Sequence, residues 1–276
     1  TLFEADLENK TIIYNNKIQY AEKHGIIIEN DNAKNNISII NNTINKALIN
    51  GIRLDTQGSA AVNTTVIDKN LVESTSDHAI YVNTDNGAEN ATLIVNNTIK
   101  KILSNGIMIV NSLGSKDFTT IKNNFIEETS DNGIFIINTD EDTQSNIRIV
   151  DNWIRNAGPT GIEISNTGYE LESDLIIDNN IIENVNSSGI YINVHDGSNI
   201  DASIINNMIK ETNHDGIHIY IGLDPIISEN LKTRILLDNN FFENIPNDSI
   251  YYEDPDIYET QNENQDPILF IYPEDN

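Results

Sequence analysis

Cysteine is absent from the 276 residues, proline occurs six times, tryptophan once, and aromatic side chains make up 7% of the chain. The missing thiols exclude a disulfide scaffold, a thiolate metal centre and cysteine nucleophilic catalysis. Basic residues are scarce too, 16 against 43 acidic ones, which gives a formal charge of −27. That charge repels polyphosphate, so neither nucleic acid nor an anionic membrane surface is an expected partner. No apolar run approaches about 18 residues, so no membrane insertion is expected. The chain starts at Thr1 with neither an initiator methionine nor a signal peptide, as expected of a processed protein or an excised segment.

What is present is Asn, 45 times, and Ile, 50 times, together about a third of the chain. So much Ile argues against disorder, and two residue types in bulk point to a repeat. The repeat is an Asn followed nine positions later by a Gly: Asn16/Gly25, Asn42/Gly51, Asn97/Gly106, Asn124/Gly133, Asn152/Gly161, Asn180/Gly189 and Asn207/Gly216. Asn70/Ala79 and Asn240/Ser249 keep the offset in degenerate form. Successive copies lie 26 to 28 residues apart, except the last at 33, and such regularity marks a solenoid.

Within each copy apolar residues alternate with period two, as strands require. One strand follows the Gly (Ile134/Ile136), a second precedes the Asn (Ile147/Ile149), and a third follows it (Ile126, Ile154). Asn and Gly are expected at the bends because both tolerate left-handed backbone angles. Stacked Asn side chains can also form a hydrogen-bonded ladder. Three residues after the ladder Asn stand Glu73, Lys100, Glu127, Arg155, Glu183, Lys210 and Glu243. This alternation of sign fits charges about 4.8 Å apart on stacked strands.

The pattern Asn-Asn-x-Ile followed by Gly-Ile-x-Ile, as in Asn41-Asn42-Thr43-Ile44 and Gly51-Ile52-Arg53-Leu54, resembles the right-handed parallel β-helix repeats of the pectin-lyase-like superfamily. The resemblance implies an all-β chain: a single-stranded right-handed parallel β-helix solenoid of about nine rungs of ~27 residues, with three short strands per rung. It covers residues 1–253, with 1–10 expected as the tail of an earlier rung. Residues 254–276 are expected to form a tail with a capping or contact strand, the apolar run Ile268–Tyr272 serving as lid or interface. The one large insertion is residues 222–233, and long loops on regular scaffolds often carry function.

Such a fold hosts lyases, hydrolases, epimerases, tailspikes and adhesins alike. Of the polygalacturonase-like motifs only Asn-Thr-Asp occurs, at Asn83–Asp85 and Asn138–Asp140, both expected in loops after the Gly strand. The three Asp-Pro pairs lack the His of the epimerase-like motif, and four Arg are few for a uronate lyase.

The outward residue two after each Gly gives the column Ile27, Arg53, Tyr81, Met108, Phe135, Glu163, Tyr191, His218 and Tyr251; Val110, Ile137, Asn193 and Tyr220 follow two positions on. So apolar a face suits sugar rings, a protein partner, or a strand covered by its own loops. A second outward column, Phe125, Trp153, Ile181, Met208 and Phe241, suits stacking between rungs. For chemistry the strongest group is Glu163, Tyr191 and His218, with His195 and the His214-Asp215 pair nearby, able to share general acid and base work. No cofactor is expected; Asp140, Glu141 and Asp142, and the loop Asp196–Asn199, offer oxygen ligands that suit either calcium or plain solvated acidic turns.

The expected function is an extracellular or cell-surface adhesin or fibre module. It binds glycan or a sister chain through Tyr81, Met108, Phe135, Tyr191, Asn193, His218, Tyr220 and Tyr251, without catalysis. The alternative is a polysaccharide lyase or glycoside hydrolase acting at rungs six to eight.

Overall fold

The computed structural model describes residues 8–195, 197–222, 233–253, 258–261 and 267–271. Its elements are β-strands, coiled into a parallel β-solenoid with three sheets running along its length. Every rung contributes one strand to each sheet: a first sheet from residues before the ladder Asn, a second from residues after it, and a third from residues after the Gly. Ile107–Asn111 pairs in parallel with Ile134–Thr139, which places Gly106 and Gly133 on adjacent rungs as the repeat requires.

Alternation puts one side of each strand inside. Ile107, Ile109, Ile126, Ile134 and Ile136 are fully buried, as are Ile149 and Ile154. Burial of such a side chain contributes roughly 1.5–3 kcal/mol, and the repeat applies that gain in every rung. The ladder Asn residues from Asn42 to Asn207 are buried too, and Asn16, Asn42, Asn70, Asn97, Asn124, Asn152, Asn180 and Asn207 each donate Nδ2 to the Oδ1 of the next at 3.0 Å.

The bends differ from expectation. The left-handed residue is the one before the ladder Asn (Asn41 φ 56°, Asn96 φ 56°, Asn123 φ 54°, Asn179 φ 54°), so the first Asn of each Asn-Asn pair supplies the turn and the second the ladder. Nor do the repeat glycines take positive φ. They are small because the chain passes close: a Cβ on Gly25 would stand 2.6 Å from Ile44 Cγ2 and 2.7 Å from the Gly51 carbonyl oxygen. A second left-handed column falls four residues after the ladder, at Lys101, Glu128, Asn156, Asn184 and Glu211, where it turns the short second strand.

The charge column is in register from Glu73 to Glu243. Lys100 meets Glu127 at 3.4 Å, Arg155 pairs with the same Glu127, and Lys210 meets Glu243 at 3.2 Å. Glu73 pairs instead with Lys101 at 3.5 Å.

Of residues 1–10, expected as the tail of an earlier rung, 8–10 begin the strand Glu8–Tyr14, which pairs with Lys34–Ile40, and 1–7 lie outside the described residues. The placing of the Asn-Thr-Asp motifs in loops is corrected. Asn83-Thr84-Asp85 lies inside the strand Ile80–Asp85, and Asn138-Thr139 inside Ile134–Thr139. Thr84 and Asn138 are buried because the strand's alternation turns them inward, and of the two motifs only Asp140 lies in the loop that follows its strand. At the C-terminal end Pro267–Ile271 pairs antiparallel with Thr233–Asp238, and Tyr258–Gln261 pairs with Pro267–Ile271. Residues 1–7, 196, 223–232, 254–257, 262–266 and 272–276 lie outside the described residues, and with them most of the insertion and much of the tail.

The interior is not uniformly apolar. The third inward position after the Gly holds Asn30, Thr56, Thr84, Asn111, Asn138 and Asn166, all at most 2% exposed, before Val194 and Ile221 restore an apolar lining. Across from it the first sheet turns Asn63, Asn90 and Asp117 inward. Asn30 donates to Asn63 Oδ1 at 2.8 Å, Asn63 to Thr56 Oγ1 at 2.5 Å, and Asn111 to Asn138 Oδ1 at 2.8 Å. Asp117, 1% exposed, accepts from Asn90 at 2.8 Å and from Thr119 at 3.1 Å.

Candidate functional site

The third sheet carries the candidate site, because the strands after the Gly hold the outward column of Tyr81, Phe135, Tyr191 and Tyr251. Register places Tyr81, Met108, Phe135, Glu163, Tyr191, His218 and Tyr251 directly one above another. Val110, Ile137, Asn193 and Tyr220 stand in the column two residues on.

A second row flanks the first, a row the sequence reading left unnoticed. The residue before each repeat glycine reads His24, Asn50, His78, Asn105, Asn132, Thr160, Ser188, Asp215 and Asp248. Each of these lies three positions before an outward column residue. His78 stacks on Tyr81 with centroids 5.5 Å apart and planes at 12°, Asn105 Nδ2 reaches Met108 Sδ at 3.9 Å, and Asp215 Oδ2 lies 3.1 Å from His218 Nδ1. The signal was the offset itself, −1 and +2 about one glycine.

This cover makes the column less open than an outward position suggests. Met108 is 8% exposed, Tyr81, Phe135 and Tyr191 are half-buried, and exposure rises to 36% at Tyr251 and 45% at Ile27, towards the ends. The column is a shallow face with aromatic edges showing. By contrast the second-sheet column is open at Trp153 (42%) and Phe241 (53%). There Phe125 and Trp153 meet edge-on at 5.2 Å, and the Arg155 guanidinium lies 5.1 and 5.2 Å from their ring centres. At Phe125 and Trp153 these ring-to-ring and cation contacts fit the stacking expected between rungs.

Glu163, Tyr191 and His218 are brought together on rungs six, seven and eight. The Glu163 carboxylate accepts from Asn132 Nδ2 at 2.7 Å, and burial raises its pKa while that bond lowers it less. Tyr191 and Tyr251 approach the His218 ring edge-on from either side, at 4.9 and 4.8 Å. Tyr220 lies against His195 at 4.8 Å. At the other end Arg53 binds Asp55 at 2.6 Å through Nε and lies 5.1 Å from the Tyr81 ring centre. Desolvation holds the His78 imidazole below its ordinary pKa.

The acidic loop residues Asp140, Glu141 and Asp142 line an open concavity of about 630 Å³ with Leu113, Gly114, Thr167, Gly168 and Tyr169. Among the described residues, the ligand atoms that converge within 4.8 Å of one another belong instead to His214, Asp215 and His218. Of the loop Asp196–Asn199, Asp196 lies outside the described residues.

No protein-family model matches the chain, and no curated protein matches it. Among solved structures, it is similar to the crystal structure of PfbA, a surface adhesin of Streptococcus pneumoniae, at 12% identity and TM-score 0.37 over 95% of this chain and 92% of that one. It is also similar to a structure described as the Streptococcus pneumoniae surface protein and adhesin PfbA, at 10% identity and TM-score 0.25 over 79% of this chain and 68% of that one.

Proposed function

We propose that the chain is a non-catalytic binding module of the surface-adhesin kind, exported to the cell surface, which holds a glycan or a partner chain along the third-sheet face. The observation that carries this reading is the two-row construction of that face. A column with aromatic edges runs beside a row of amides, hydroxyls, imidazoles and carboxylates, in step at every rung. Ring edges and faces suit the apolar sides of sugar rings, and the flanking row suits their hydroxyls. The repeat spaces equivalent groups about 4.8 Å apart, a pitch suited to an extended ligand lying along the solenoid.

In the test, Phe135→Ala and Tyr191→Ala are compared with the wild type on a glycan array and in pull-downs with the unmodified chain. Both variants are expected to lose at least about ten-fold in signal while unfolding cooperatively, because each ring is only half-buried. Binding equal to wild type in both overturns the assignment of the face.

The second reading is a glycoside hydrolase or lyase, favoured by one observation, the raised pKa of Glu163 on the same face as His218. It requires turnover of an extracellular polysaccharide that Glu163→Gln abolishes and Phe135→Ala spares.

A further inference from the structure

The register that brings the residue before the glycine against the residue two after it has a distinct outcome in rung eight. There the pair is Asp215 and His218, and the bend adds His214 beside them. One carboxylate oxygen, Asp215 Oδ2, lies 2.7 Å from His214 Nδ1 and 3.1 Å from His218 Nδ1. We propose that His214, Asp215 and His218 bind one transition-metal dication of the zinc class, through two imidazole nitrogens and one carboxylate oxygen.

Four features support the site. First, the spacing is near what a metal needs: bonds of about 2.0–2.2 Å in a tetrahedral site set ligand atoms roughly 3.3 Å apart, the two nitrogen–oxygen separations are 2.7 and 3.1 Å, and all three ligand atoms lie within 4.8 Å of one another. Second, the Asp215 side chain is 2% exposed, and the ion-pair partners recorded for it among the described residues are these two imidazoles. A buried carboxylate needs positive charge beside it, which a dication supplies at any pH where the imidazoles are neutral. Third, the ligands are held. The Tyr191 and Tyr251 edges flank the His218 ring, and the Asp248 backbone N–H donates to Asp215 Oδ1 at 3.3 Å. Such outer contacts fix the orientation of metal ligands. Fourth, His214 is half exposed, at 51%, which gives an ion a way in.

The donor set selects the metal. Imidazole nitrogens favour zinc, nickel and copper, whereas calcium and magnesium prefer all-oxygen sites. The charge of −27 raises the local concentration of any cation. Three protein ligands leave a fourth position for water, or for a donor from whatever lies on the third-sheet face. The metal site does not depend on that face binding a glycan.

The protein is stripped with a chelator, dialysed and titrated with zinc chloride by calorimetry at pH 7.5, with metal retained after gel filtration counted by mass spectrometry. One equivalent of zinc is expected. His214→Ala, whose exposed ring leaves folding intact, is expected to bind at least about ten-fold more weakly. His195→Ala should bind as wild type does. Cobalt in place of zinc is expected to show visible absorption bands that His214→Ala loses. Absence of bound zinc in the wild type, or equal affinity in His214→Ala, overturns the proposal. Calcium displacing zinc at equal concentration overturns the nitrogen-donor assignment.

Discussion

Asn124→Ala is expected to destabilise the solenoid by about 3–5 kcal/mol, far more than an average side-chain deletion. Asn124 Nδ2 donates to Asn152 Oδ1 at 3.0 Å and to the carbonyl oxygens of Ile94 at 2.9 Å and Lys122 at 3.1 Å. Its Oδ1 accepts from Asn97 Nδ2 at 3.0 Å and from the Asn97 backbone N–H at 2.9 Å. Alanine removes all five and leaves groups of two neighbouring rungs buried without partners. The preceding Asn123, at φ 54°, carries the bend instead, and its own side chain is exposed. Asn123→Gly should therefore cost little, because glycine takes that angle readily. Urea titration of the two variants separates ladder from bend. Equal midpoints would mean that the ladder bonds contribute no more than the turn.

Asp117→Asn is expected to stabilise the protein at neutral pH and to flatten its acid dependence. Burial pushes the Asp117 carboxyl up to about 6, against bonds from Asn90, Thr119 and Asn111 that lower it less. Between the ordinary value of 3.8 and about 6 the folded chain holds a proton that the unfolded chain has released. The stabilising contribution is therefore complete below pH 3.8 and is lost as pH rises through 6. A shift of that size corresponds to about 3 kcal/mol. Above that pH the ionised carboxylate sits in the core with Oδ2 lacking a hydrogen-bond partner among the described residues. Asparagine carries no charge there and offers N–H groups where Asn90 Oδ1 and Asn111 Oδ1 also lack partners. Stability of wild type and variant is to be measured by urea from pH 4 to 8. Their difference should grow in the variant's favour with pH and level off above about 6.5. A constant difference would mean that Asp117 does not change its protonation over this range.

Both predictions concern interior residues, and they differ in how plainly the sequence announced them. Asn124 stands in a column repeated nine times, whereas Asp117 stands where neighbouring rungs place Asn90 and Ser145. The repeat names a position as inward, but a single chain position does not say what faces it across the core. Likewise Tyr81, Phe135 and Tyr191 read as exposed from alternation alone. Part of the half-burial of Tyr81 comes from His78, which lies before the strand Ile80–Asp85 and so outside its period-two alternation, and Tyr191 is packed against His218 of the next rung.

The sequence by itself determined the rung length, the three strands per rung, the register of the sheets and the order of the charge column. Each of these follows from translation by one repeat, so nine noisy copies state the same geometry and any one of them corrects the others. Only the tertiary structure decided which Asn bends and which bonds, why the glycines are small, where the core turns polar, and that His214, Asp215 and His218 converge. Several of these contacts recur from rung to rung, but which group bonds, bends or packs at each position is set by backbone angle and packing rather than by period.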